Sequence, residues 1–126
     1  MVDMSCTYNN CCNLTGSPIC GNNVTDMYFT YRNCTNLSSN GYFYSPSVNN
    51  LWGCFGGRNT SKYLNLYLPA NSQTLNTALT TSSTSIVGAT ITWTNDTANN
   101  RYYNTQYNIY IYPVEDVAAV RLANGD

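Results

Sequence analysis

Six cysteines, Cys6, Cys11, Cys12, Cys20, Cys34 and Cys54, are the residues of this chain best equipped for chemistry, and all fall within its first 54 positions. Thiols can pair into disulfides, ligate a soft metal or act as nucleophiles. The spacings lack the paired C-x2-C knuckles that zinc modules prefer, and the chain has no histidine to complete a mixed ligand set. A cysteine nucleophile leans on a histidine base, which is equally absent. Disulfides are therefore the expected state, with Cys34 and Cys54 the most useful anchors for an irregular N-terminal flank. Spacing alone does not choose the pairing, although adjacent Cys11 and Cys12 are too strained to bond each other.

The remaining chemistry-bearing residues are sparse. Without histidine, serine and cysteine triads are excluded in their usual forms. Glu115 and Asp116 are neighbours, which on a strand point to opposite faces and cannot share one bond. Asp26 and Asp96 are far apart in sequence, and nothing in the pattern brings them together. Ser61 beside Lys62 is a poor dyad for the same reason as the acidic pair. Lys62 and Glu115, each the only residue of its type, raise the idea of a Lys–Asn isopeptide bond, but scarcity alone accounts for them. The stretch 95–100 is rich in oxygen ligands yet holds one carboxylate, and calcium wants several, so a plain turn is expected. Asn13, Asn23, Asn33, Asn36, Asn59 and Asn95 begin glycosylation sequons, no more than a composition so rich in Asn, Thr and Ser produces by chance. No catalytic residue, metal or cofactor is expected. The chain reads as non-enzymatic.

Aromatic residues are the other resource. Trp52 stands among three glycines and is a candidate binding platform, whereas Trp93 shares a strand face with Ile91 and is expected in the core. Tyr102, Tyr110 and Tyr112 belong to a run, 101–114, in which Tyr107, Ile109 and Ile111 alternate with Asn108, Tyr110 and Tyr112. Period two marks a strand with two distinct faces. Trp52, Tyr102, Tyr110 and Tyr112 are thus the candidate interface residues.

The elements that must position these side chains are mostly extended. Residues 89–94 alternate as well, and the polar stretch 95–100 turns the chain, so 89–114 reads as a hairpin. Shorter strands are expected at 27–32, 41–44 and 63–68, with 1–26 irregular. Residues 75–85 support one helical turn at most, and 117–122 fits a last strand or a short helix, with the strand favoured. No internal repeat of fixed period is visible. The expectation is a single all-β domain over 1–126, a β-sandwich of jelly-roll type, with a disulfide-tied, loop-rich part at 1–57 and a cysteine-free β part at 58–126.

Composition narrows the function class. Charged residues are 9% of the chain against about 25% in an average domain, while 43% of residues are hydrophobic and 12 are tyrosines. Five isolated basic residues and a pI near 5.0 offer no stripe for nucleic acid. No apolar run is long enough to span a bilayer, and the start shows no secretory signal. A surface of amides, hydroxyls and phenols with a net charge of -1 repels its own copies weakly. These features imply a structural subunit of an extracellular or virion assembly (a decoration, fibre, minor capsid protein or filament unit) packed against copies of itself or other shell proteins. The second expectation is an adhesion module with glycans as partners.

Overall fold

The computed structural model describes residues 2–82 and 84–126. Its organising feature is a stack of coils, each made of a turn-rich segment, a reversal and a short strand. Asp3, Asp26 and Asn50 occupy the same place in three successive coils and bridge in parallel, in steps of 23 and 24 residues. The chain is thus a short parallel solenoid, and the expectation of no internal repeat is overturned.

The strands of the coils build one wall. β1 (Ile19–Cys20), β2 (Asn40–Phe43), β3 (Leu64–Pro69) and β6 (Ile109–Val114) lie side by side and parallel. β5 (Arg101–Asn104) and β4 (Thr94–Asp96) extend the sheet antiparallel, giving the order β1-β2-β3-β6-β5-β4. In β3, Leu64, Leu66 and Leu68 point inward and are buried, alternating with Asn65, Tyr67 and Pro69. Ile109 and Ile111 do the same in β6. Pro113 falls beyond the last residue pair that β5 shares with β6, at a half-edge where its missing N–H disturbs no ladder bond.

The second wall is a ladder of turns. Backbone N–H groups of Met4, Cys6, Tyr8 and Asn10 donate to the carbonyls of Asp26, Tyr28, Thr30 and Arg32 at 2.8–2.9 Å. Met27, Phe29, Tyr31 and Asn33 then donate to Asn50, Trp52, Cys54 and Gly56 at 2.8–3.0 Å. The intervening N–H groups close local turns, as in Thr30 to Met27 and Arg32 to Phe29. This folding needs left-handed residues at matched places: Cys6, Phe29 and Gly53 have φ of 58°, 54° and 62°, and Asn10, Asn33 and Gly57 have 64°, 60° and 67°. Residues 27–32, expected as a strand, are therefore turn ladder. Their alternation is real, but Phe29 at positive φ breaks extended geometry.

Between the walls lies the core, with Met27, Tyr31, Leu51 and Phe55 facing Phe43, Leu66, Leu68, Ile109 and Ile111. Tyr8, Tyr31 and Phe55 stack along the axis with centroids 5.2 and 5.8 Å apart. Each fully buried aliphatic side chain here contributes about 1.5–3 kcal/mol. The β-rich expectation holds, but the described residues form one six-stranded sheet and no sandwich. The partner layer that a sheet requires is supplied by turns of the same coils.

Two helices complete the chain. α1 (Gln73–Ala78) is capped by Ser72, whose hydroxyl accepts from the Leu75 N–H, and is somewhat longer than the single turn expected in 75–85; Ser83 lies outside the described residues. α2 (Val117–Asn124) replaces the expected last strand. Asp116 caps its start by accepting from the Ala119 N–H, and Gly125 at φ 77° ends it. The hairpin expected over 89–114 is present in altered form. Residues 89–93 are irregular, and the return run is folded at 105–108 into two strands, β5 and β6.

Candidate functional site

The side chains of the sheet that point away from the core form rows across the strands. One row runs Ile19, Tyr42, Tyr67, Tyr112, set by the registers of β1, β2, β3 and β6. Tyr42 stacks on Tyr67 and Tyr67 on Tyr112, with centroids 5.5 and 5.1 Å apart. A second row holds Asn40, Asn65, Tyr110 and Tyr103; the Asn65 amide donates to Asn40, and the rings of Tyr103 and Tyr110 stack at 5.9 Å. Arg101 sits where the rows converge. Its guanidinium donates to the Tyr112 hydroxyl and to Asp96 at 3.0 Å each, and lies 4.9 Å from the Tyr110 centroid.

α2 covers only one end of this face. Arg121 donates to the Tyr44 hydroxyl at 2.9 Å and Asn124 to the Tyr42 hydroxyl at 3.1 Å. Tyr42 in turn donates to Asp126, which with Asn40 holds that carboxyl below the usual range. Tyr42 is fully buried as a result, whereas Tyr67, Tyr110, Tyr112 and Tyr103 stay half-exposed. The face combines rigid rings and amides with two cations that already have partners, Arg101 with Asp96 and Arg121 with the Tyr44 hydroxyl. That is the make-up of a surface suited to protein contact.

The four candidate interface residues do not form one site. Tyr110 and Tyr112 share the outer face. Tyr102 pairs with Ile111 and packs inward against the core. Trp52 is on the turn ladder, 38% exposed, with its ring beside those of Tyr28 and Phe29. Tyr102 instead shares an open groove of about 440 Å³ with Leu79, Ile91, Thr92, Trp93 and Asn95. Trp93, expected in the core, is only partly buried there, and its indole nitrogen has no hydrogen-bond partner. Asn40, Asn65, Tyr67 and Arg101 were missed by sequence reasoning. The signal for Asn65 and Tyr67 was the alternation in 64–69, which gains meaning only once the strands are known to be coil neighbours.

All six cysteines are free thiols in this structure, so the expected disulfide tie of the flank finds no support in it. Cys20, Cys34 and Cys54 are buried and serve as small core residues, while Cys6, Cys11 and Cys12 are exposed on the first coil. Burial pushes the Cys20 thiol up to about 11 and the Cys54 thiol higher still, so both stay protonated and unreactive. The flank is held by the ladder bonds and needs no covalent tie.

Other chemistry-bearing groups have structural partners. Asp26 accepts from the Tyr28 N–H, Asp96 is bonded to Asn99 and Arg101, and the Ser61 hydroxyl donates to Asn59. Arg58 is half-buried with its guanidinium on the carbonyls of Tyr107 and Lys62, and burial lowers it to about 10. Among the described residues no helix is long and apolar enough to cross a membrane. Compared with known proteins, the chain matches no family model, no curated protein and no solved structure. Its class is therefore defined by geometry: a short parallel solenoid, extended at one end by the antiparallel strands β5 and β4, with α2 lying on the outer face of β2 and β3.

Proposed function

We propose that this protein is a non-enzymatic structural subunit of an extracellular or virion assembly, and that it packs against copies of itself or other shell proteins through the outer face of its sheet. The observation that carries this reading is the half-exposed field of Tyr67, Tyr103, Tyr110 and Tyr112, stacked in rows and left without a second layer beyond α2. A contiguous aromatic surface of this kind is uncommon on a protein that works alone. Scarce charge supports the same reading, because little repulsion opposes close approach.

Light scattering over a concentration series tests it, comparing the native chain with Tyr110→Asp/Tyr112→Asp. Both new carboxylates lie beside Arg101, so the monomer keeps its fold and its circular dichroism. The native chain should self-associate and the double variant should not. Equal association of the two places the contact elsewhere and defeats the proposal.

A second reading, a glycan-binding module, is favoured by the groove between Trp93 and Tyr102. Its lining is aromatic, aliphatic, hydroxyl and amide, with no charge, a combination that suits neutral sugars. Quenching or enhancement of tryptophan emission by simple sugars, lost in Trp93→Ala but kept in Trp52→Ala, would support it.

A further inference from the structure

The inner face of the sheet outruns the turn ladder. The ladder ends at Ser85 and Ile86, whose carbonyls accept from the Gly53 and Phe55 N–H groups at 3.0 and 2.9 Å. The sheet continues past β6 into β5 and β4. Behind those two strands stand α1 and the irregular run 89–93, which leave a gap.

The gap holds two hollows, and Tyr102 lines both. One, of about 440 Å³, is the groove beside Trp93. The other, of about 570 Å³, is lined by Tyr102 with Asn71, Leu75, Asn100, Val114 and Glu115. Leu75 and Leu79 fall one turn apart, the Leu79 N–H donating to the Leu75 carbonyl, so one face of α1 banks both hollows. They form a single trough with Tyr102 at its middle. Asn104 donates to the Thr92 carbonyl at 2.9 Å, which sets the Trp93 end of the trough at one end of β5. Asn100 precedes the other end of that strand. Those ends are four residues of extended chain apart, about 13 Å.

The polar groups of the trough are free to bind. Among the described residues, the side chains of Asn71, Thr90, Thr92, Asn95, Tyr102 and Glu115 make no hydrogen bond to the protein. On the outer face, by contrast, Asn65 bonds Asn40 and Arg101 bonds Tyr112. Aliphatic Leu75, Leu79 and Ile91 stand among these polar groups. No cation lines either hollow, and Arg101 on β5 is held on the other face by Asp96 and Tyr112. The one charge is the Glu115 carboxylate.

We infer that the trough takes a linear, uncharged oligosaccharide of N-acetylated amino sugars, longer than a single residue. This inference rests on the glycan-binding reading and adds to it the length and class of the ligand. Trp93 and Tyr102 supply rings for the apolar faces of sugars. The free amides and hydroxyls pair with sugar hydroxyls and acetamides, and the aliphatic side chains receive acetyl methyl groups. Uronic, sialic and sulfated sugars are excluded, because their charge would meet a carboxylate and no cation. The outer face does not compete for such a ligand, since Tyr67 and Tyr112 turn their ring faces to each other.

The test titrates the full chain calorimetrically with N-acetylglucosamine, its dimer and its trimer. Affinity should rise at least about tenfold from monomer to trimer, as two or three added hydrogen bonds would give. Asn71→Gly/Asn100→Gly deletes both amides of the second hollow. Glycine keeps the left-handed backbone at φ 53° and 50°, so the fold is retained. This variant should bind the monomer as the native chain does and lose most of the gain with length. Trp93→Ala should weaken binding at every length, and trigalacturonate should not bind. Monomer binding without a gain in length, or an equal gain in the double variant, overturns the trough and leaves the groove beside Trp93 as a sugar site. Binding of trigalacturonate as tight as the trimer overturns the ligand class. So does tryptophan emission that responds to glucose or mannose while the N-acetylated series stays silent. Silence toward all of these sugars overturns both this inference and the glycan-binding reading.

Discussion

The two walls of the solenoid solve the same problem, burying one face of a coil, by opposite means. In the sheet, side chains do the work: Leu64, Leu66 and Leu68 alternate inward and the backbone is ordinary extended chain. In the turn ladder, the backbone does it. Cys6, Phe29 and Gly53 must adopt positive φ, and the residue type there varies from coil to coil. The sheet therefore tolerates many residues that keep the alternation, whereas the ladder tolerates few changes of shape at fixed positions.

That contrast predicts opposite sensitivities. The largest effect is expected from adding atoms to the ladder. A Cβ at Gly53 would lie 2.3 Å from the Phe29 ring, at a φ that a branched residue resists. Gly53→Val should thus cost on the order of 3–5 kcal/mol in a denaturant titration. The sheet should respond instead to removal of atoms: Leu66→Ala, emptying a fully buried site, should cost about 3 kcal/mol by the same measurement. If Gly53→Val proved milder than Leu66→Ala, the ladder would be more plastic than its geometry implies.

Two smaller effects sharpen the comparison where α2 lies on the outer face of β2 and β3. Asp116→Ala removes the N-cap and should cost about 1 kcal/mol, read as a lower thermal midpoint. The smallest effect concerns pH. Hydrogen bonds from Tyr42 and Asn40 depress the Asp126 carboxyl, so its contribution is fully present above the unfolded value of about 3.9. The contribution fades as pH falls through the lower folded value. Below about pH 4 the end of α2 should loosen, visible as a shift of the Tyr42 ring resonances that Asp126→Asn abolishes.

The same contrast explains what could be read in the sequence. Period-two alternation located β3 and β6, because extended chain displays its faces in the residue order, and the Tyr-Phe-Tyr run ending before Ser45-Pro46 located β2. The ladder had no such signature. Its repeat is carried by Asp3, Asp26 and Asn50, by Asn10, Asn33 and Gly57, and by turns that Asn and Gly serve equally well. In a chain so rich in Asn those matches look like background. α2 was legible in principle, since Asp116 and Gly125 are good cap residues, but Pro113 and the apolar 117–122 favoured a strand reading. The cysteines misled because clustering suggested pairing, whereas the coil repeat uses Cys20, Cys34 and Cys54 as small buried residues. Of the contact surface, Tyr110 and Tyr112 were visible from alternation. Tyr67 joined them only through a register that pairs residues 45 positions apart, as in Asn65 with Tyr110, and Arg101 through the antiparallel pairing of β5 with β6.

Site-resolved amide hydrogen exchange tests the stacked-coil account most directly. The N–H groups of Met27, Phe29, Tyr31 and Asn33 each bond a carbonyl of the next coil and should exchange as slowly as those of Leu66 and Ile111 in the sheet. Slow exchange in the sheet beside fast exchange at these four amides would contradict it, because the second wall of the solenoid would then have no ladder to hold it.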